Sequence, residues 1–250
     1  MKTIYFHSRF ALLLLVLLLL FSSCKKEETI KNDSDIQTNG KSTVVFNSSL
    51  NYGTVTDIDG NIYKTIKVGK MTWMAENLRT TKYNDGTPIP NITDKEKWSL
   101  SSSGAYCTYL NSKNADTIAT YGRLYNWYAV NTKKLAPKGW HVATKKEYDS
   151  LTVIYGFELG TKIREVGLTH WYEFNTNTTN ESGLSIIPSG FRGIDGVYGG
   201  IGGYFFGWTS TEQNPSRAYR PVVNSISASG YYFEDTNDKR AGLAIRCLKD

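Results

Sequence analysis

Apolar and polar positions divide the chain into three regimes. Residues 10–21 are an unbroken apolar run. Residues 25–51 are polar, with Phe46 the single aromatic. Beyond them, short apolar stretches alternate with turn residues. Val55 and Ile58 lead into Asp59-Gly60-Asn61, a turn signal, and residues 62–68 have strand composition and alternation. Gly69-Lys70 turns the chain into residues 71–74, so a small meander is expected, closing at Leu78. Residues 83–103 read as loop, broken by Asn84-Asp85-Gly86 and Pro88-Ile89-Pro90, and residues 106–110 as a short strand.

The clearest helix signal lies in the middle of the chain. Thr144 and Glu147 have capping-box spacing, in which the Thr oxygen accepts an early helix N–H and the Glu reaches back to the Thr N–H. Tyr148, Leu151 and Ile154 or Tyr155 follow at helical spacing, and Gly156 supplies a left-handed stop. Mixed spacing of Leu124, Trp127, Tyr128 and Ala129 predicts a short buried helix over 124–131, and another is expected over 161–166 before Gly167. From Leu184 onward the pattern is of short strands, at 184–188, 207–210, 218–223, 230–233 and 241–248. In the last, Leu243, Ile245 and Cys247 face one way and Ala244, Arg246 and Leu248 the other. One α+β domain over 52–250 is the economical reading.

Charge changes little. The formal net charge is +6, and removal of Lys2 and Arg9 with a leader takes Lys+Arg from 29 to 27 against 23 acids, leaving +4. Basic residues are scattered in doublets, which excludes a nucleic-acid stripe and predicts no nucleic-acid partner. Twelve apolar residues are too few to span a bilayer comfortably and suit the core of a signal peptide over 1–23. The junction Leu20-Phe21-Ser22-Ser23-Cys24 resembles a bacterial lipobox, which implies acylation of Cys24; an ordinary secretory signal is the alternative. Residues 24–51 then read as a flexible tether. Lys25-Lys26-Glu27-Glu28 resembles the signal that takes Bacteroidetes lipoproteins to the cell surface, so an outer-membrane lipid anchor facing the exterior is expected, with the periplasm as the alternative.

Several collinear stretches carry a family resemblance: Met71-Thr72-Trp73-Met74-Ala75-Glu76-Asn77-Leu78, Tyr121-Gly122-Arg123-Leu124-Tyr125-Asn126-Trp127, Pro137-Lys138-Gly139-Trp140-His141-Val142, Pro188-Ser189-Gly190-Phe191-Arg192, Trp208-Thr209-Ser210-Thr211-Glu212 and Arg246-Cys247-Leu248. Over residues 54–250 the chain resembles the Fibrobacter succinogenes major paralogous domain. That resemblance implies a C-type-lectin-like fold near the formylglycine-generating enzymes, with a few short helices, twisted antiparallel sheets and long loops. Ala143 stands where the family pattern has proline. The formylglycine enzymes need a close cysteine pair near the C-terminus, whereas this chain has Cys247 alone there, so their chemistry does not carry over.

Candidate chemistry is sparse. With Cys24 acylated, Cys107 and Cys247 form an even pair in an oxidising compartment, and a disulfide between them is expected, with two buried thiols as the alternative. His141 and His170 lack ligand-spaced partners and read as structural. Gly199–Gly203 lacks the residues of a phosphate loop. Asp57, Asp59 and Asn61 resemble part of a calcium loop without its bidentate Glu, so a hairpin turn is preferred. Glu76-Asn77 and Glu234-Asp235 with Asn237-Asp238 leave calcium open; no other cofactor is expected. Sugar sites stack aromatic rings on pyranose faces, and Trp171, Tyr172, Tyr198, Tyr204 and Trp208 lie in or beside the long loops; Trp73, Trp127 and Trp140 read as core. The expectation is a non-enzymatic surface lipoprotein binding an extracellular glycan or protein. The alternatives are an enzyme of unknown reaction and a structural envelope component.

Overall fold

The structure, a computed structural model, describes residues 40–250 apart from 173, 174, 176, 227–229 and the side chains of 232–236. The leader, Cys24 and the basic-acidic segment after it lie outside the described residues, as do the carboxyl groups of Glu234 and Asp235. No helix among the described residues is long and apolar enough to cross a membrane.

Strands β1 (Gly53–Thr56), β2 (Ile62–Val68) and β3 (Met71–Met74) form the expected antiparallel meander. Its first turn is tied by Asp57, whose carboxyl group accepts from Asp59 N at 2.9 Å, Asn61 N at 3.0 Å, Asn61 Nδ2 at 2.8 Å and Tyr63 OH at 2.6 Å. Asp59 likewise accepts from Thr80 Oγ1, Thr81 N and Thr81 Oγ1. These carboxylates are occupied by donors of the fold itself, as in a hairpin turn.

Two short helices then appear where no periodicity announced them. Helix α1 (Lys95–Ser99) is capped by Asp94 and buries Trp98; helix α2 (Ala115–Tyr121) is capped by Asn114. Between them lies β4 (Tyr106–Cys107), which pairs with β5 (Leu124–Tyr125). Helix α3 (Trp127–Asn131) starts only after β5, because Asn126 accepts from Ala129 N and caps it there. β6 (Trp140–Val142) precedes α4 (Lys145–Tyr155), whose capping box and glycine stop are as the sequence predicts. Helix α5 (Leu159–Ile163) ends before residue 166, since Arg164 is extended and bridges to Ile186.

A second sheet follows, built from β7 (Ser189–Arg192), β8 (Tyr198–Ile201), β9 (Tyr204–Phe206), β10 (Glu212–Asn214), β11 (Arg217–Asn224) and β12 (Tyr231–Asp238). Its order is β10-β11-β9-β7-β8, with β12 paired to β11. All its pairings are antiparallel except β7 with β9. Finally β13 (Cys247–Lys249) inserts between β3 and β6. The architecture is α+β.

The stretch that ends in β13 joins the two principal apolar clusters. Leu243, Ile245 and Cys247 pack with Trp127 and Trp208, while Ala244 and Leu248 pack with Trp73, Tyr148 and Trp171. Alternation here therefore separates two cores, not core from solvent. Arg246, 1% exposed, lies on the second side because its guanidinium donates to Asn77 Oδ1 at 2.7 Å, Met74 O at 3.2 Å and Leu184 O at 3.0 Å.

Two expectations are corrected. Cys107 and Cys247 are free and buried. Cys107 packs with Trp98, Ala105 and Leu124 beside β5, whereas Cys247 lies in the Trp127–Trp208 cluster, so pairing of their strands with different neighbours separates the thiols. The tether also ends earlier than residue 51. Residues 40–50 lie along the domain: Lys41 N donates to Asp116 Oδ1 at 2.7 Å, Val45 N to Glu165 Oε1, and Asn47 Nδ2 to Asn180 O at 3.1 Å. Val44 is buried, and Phe46 packs edge-on against Tyr52 with centroids 5.3 Å apart. Val44 and Phe46 of this strap pack against the domain, which composition alone does not reveal.

Candidate functional site

The five aromatics expected to meet a ligand part company. Trp171 and Trp208 are 1% and 0% exposed, with indole N–H groups donating to Ile186 O at 3.1 Å and Tyr125 O at 2.9 Å. Their rings are core, so they are withdrawn as ligand contacts. Tyr172 is 65% exposed, while Tyr198 and Tyr204 are half-buried.

Tyr204 belongs to an aromatic cluster formed by pleat alternation in the second sheet. Tyr204 and Phe206 occupy one face of β9 and stack with centroids 5.4 Å apart and planes at 11°. From β7, Phe191 meets Phe206 edge-on at 5.2 Å. Arg220 on β11 lays its guanidinium over Phe206, 4.6 Å from the centroid. Beside this cluster opens a cavity of about 370 Å³, floored by Phe191 and Phe206 and bordered by Arg217, Arg220, Asn237 and Asp238. Strand register brings the border together, since Arg217 faces Asp238 and Ala218 faces Asn237 across β11 and β12.

Asp238 is held by Arg240, whose Nε donates to Oδ1 at 2.9 Å and Nη2 to Oδ2 at 2.7 Å. Those bonds outweigh burial and, with the charges of Arg240 and Arg217, keep its pKa below the ordinary aspartate value. The cavity thus combines an aromatic floor with a rim of guanidinium, amide and carboxylate groups. Chemically it can stack a ring and hydrogen-bond its substituents. Aromatic composition pointed toward Tyr204. Asn237 and Asp238 were singled out only as oxygens for calcium, and Phe191, Arg217 and Arg220 were missed, because register between separate strands assembles them.

Residues 66–249 match the sequence profile of the Fibrobacter succinogenes major domain. The chain belongs to that family. No curated protein and no solved structure matches it. The Fibrobacter succinogenes major domain thus takes in the cavity and both principal sheets, except that the strap, β1 and the start of β2 precede the matched region.

Both histidines among the described residues of this Fibrobacter succinogenes major domain are held by carboxyl groups. His141 lies between Asp250 Oδ1, 2.7 Å from Nδ1, and Glu147 Oε1, 2.9 Å from Nε2. Burial lowers its pKa, but the hydrogen bonds to Asp250 and Glu147 prevail and raise it overall. Glu147 also accepts from Thr144 N, so the helix cap and the C-terminal residue share one imidazole. His170 donates from Nδ1 to Glu165 Oε2 at 2.7 Å, leaving Nε2 to pair with Thr43 Oγ1 at 2.9 Å on the strap. Both histidines fasten chain segments, in line with their structural reading. Among the described residues, no group of three or more His, Cys, Asp or Glu side chains is placed to hold a metal ion.

Proposed function

We propose that this domain is a non-enzymatic glycan-binding module, displayed on the outer face of the outer membrane by a lipid anchor at Cys24. The observation that supports the reading is the cavity between β7, β9, β11 and β12. A pyranose ring presents an apolar C–H face to an aromatic such as Phe191 and hydroxyls to Arg217, Arg220, Asn237 and Asp238 at the rim. A soluble form lacking the leader, passed over a glycan array, tests it. Retention on a defined set of glycans is expected, with Phe191→Ala and Arg220→Ala each weakening binding about tenfold, or about 1.4 kcal/mol. Retention on no glycan, or retention that both variants leave untouched, refutes the proposal.

A further inference from the structure

Before the region shared with the family, the strap makes a tight turn on its way to β1. Asn47 builds that turn: its Oδ1 accepts from Ser49 N at 3.1 Å and from Ser49 Oγ at 2.6 Å, and Leu50 N donates to Asn47 O at 3.1 Å. Tyr52 pins it to the domain, its hydroxyl accepting from Asn47 N at 3.3 Å and donating to Gly183 O at 3.0 Å. The pleat of β2 buries Tyr63 and leaves Lys64 exposed beside this turn. Between turn and strand opens a cavity of about 460 Å³, bordered by Phe46, Ser48, Asn51 and Tyr52 of the N-terminal segment and by Lys64.

Aromatic faces hold the Lys64 ammonium group in place. It lies 4.4 Å from the Phe46 centroid and 5.3 Å from that of Tyr52, and the two rings meet edge-on. Neither aspartate nor glutamate borders the cavity. The buried carboxyl group of Glu76 takes the Lys64 backbone N–H at 2.6 Å and lies 3.9 Å from the Arg79 guanidinium. Among the described residues the Lys64 ammonium has no carboxylate partner, and the Ser48 hydroxyl and Asn51 amide have no hydrogen-bond partner. A cation already positioned by two rings loses little side-chain freedom when an anion meets it, and the flanking hydroxyl and amide can both donate and accept.

We propose that this cavity binds a carboxylate-bearing sugar, with the carboxylate on Lys64 and the hydroxyls on Ser48 and Asn51. The sugar class rests on the glycan-binding reading above. The site itself is separate, since it lies at β2 and shares no residue with the cavity of the second sheet. Ser48 and Asn51 belong to the N-terminal segment and Lys64 to β2, so an occupant bridges the two and holds the turn of the strap against the sheet.

The test is isothermal titration calorimetry of the chain lacking residues 1–24 with tetramers of galacturonate and of mannuronate, each beside its uncharged methyl ester. At least one acid tetramer is expected to bind, and its ester about tenfold more weakly. Lys64→Gln keeps most of the aliphatic stem over the rings; it is expected to weaken the acid about tenfold and to leave the melting temperature unchanged. Lys67→Gln removes the same charge from the same strand and is expected to bind like the parent. Hydrogen exchange of the Leu50 amide should slow when the acid tetramer is added to the parent, and not when it is added to Lys64→Gln. Equal binding of acid and ester refutes the carboxylate. Equal losses in the two lysine variants show general charge attraction and refute the site. If Phe191→Ala abolishes binding of the acid while Lys64→Gln does not, the sugar sits in the second-sheet cavity, and this site is refuted with the glycan-binding reading intact. Binding of neither acid refutes the site, and the glycan array then decides that reading separately.

Discussion

Substituting Glu165 by alanine tests how the strap is fastened. Glu165 is fully buried and accepts from two donors, Val45 N on the strap and His170 Nδ1. Glu165→Ala strands the buried His170 Nδ1–H, at about 1–3 kcal/mol, and releases the part-buried Val45 N–H, which water can partly satisfy, at about 1 kcal/mol, so about 3 kcal/mol in all is expected. That is a large share of the roughly 5–15 kcal/mol typical of a domain. With a urea slope of about 2.5 kcal/mol/M, the unfolding midpoint falls by about 1.2 M. Thr43→Val is the internal comparison: Thr43 is exposed, water can replace its hydroxyl at His170, and a loss of about 1 kcal/mol or less is expected. Urea titration followed by tryptophan fluorescence measures both, and hydrogen exchange at the Val45 amide reports local release. The reasoning is refuted if Glu165→Ala moves the midpoint by less than about 0.5 M, or if Thr43→Val costs as much.

The His141 clamp makes stability depend on pH. Its pKa is raised in the fold, so its contribution is complete below the unfolded value of about 6.5 and is lost as pH rises through the folded one. Melting temperatures should therefore decline from about pH 6 into the alkaline range, and His141→Gln should flatten that slope; an unchanged slope contradicts the clamp. Glu147 works in the opposite sense: its pKa is lowered by the Thr144 and His141 bonds against burial, so its contribution fades as pH falls through the folded value. Burial pushes both the Cys107 and Cys247 thiols up. A folded chain lacking residues 1–24 should thus resist a thiol reagent, yield two thiols when denatured without reductant, and melt identically with and without reductant. Finding no thiols after denaturation would restore the disulfide.

What the sequence disclosed was local. Thr144, Glu147 and Gly156 mark α4 because capping and stop chemistry act within a few residues. The Asp57 turn is similarly self-contained, its carboxyl group bonding residues no more than six positions away. Helices α1 and α2 escaped notice because they have five and seven residues and bury too few to show a period. Trp171 and Trp208 read as loop aromatics, yet are core, because non-local strands and turns close over them. The cavity was beyond reach for the same reason: Phe191 and Asp238 lie 47 positions apart, and only strand order unites them.

The strap also bears on mechanics. If the proposed anchor holds the chain by its N-terminus, any drag on a bound partner is transmitted to the domain through Gly40. Attachments then follow in chain order, Lys41 to Asp116, Thr43 to Thr120 and His170, Val45 to Glu165, Asn47 to Asn180 and Tyr52 to Gly183. Tension would meet them one after another before reaching β1. Such a series of small, re-formable fasteners lengthens the leash by several residues under load and spares the sheets that shape the cavity.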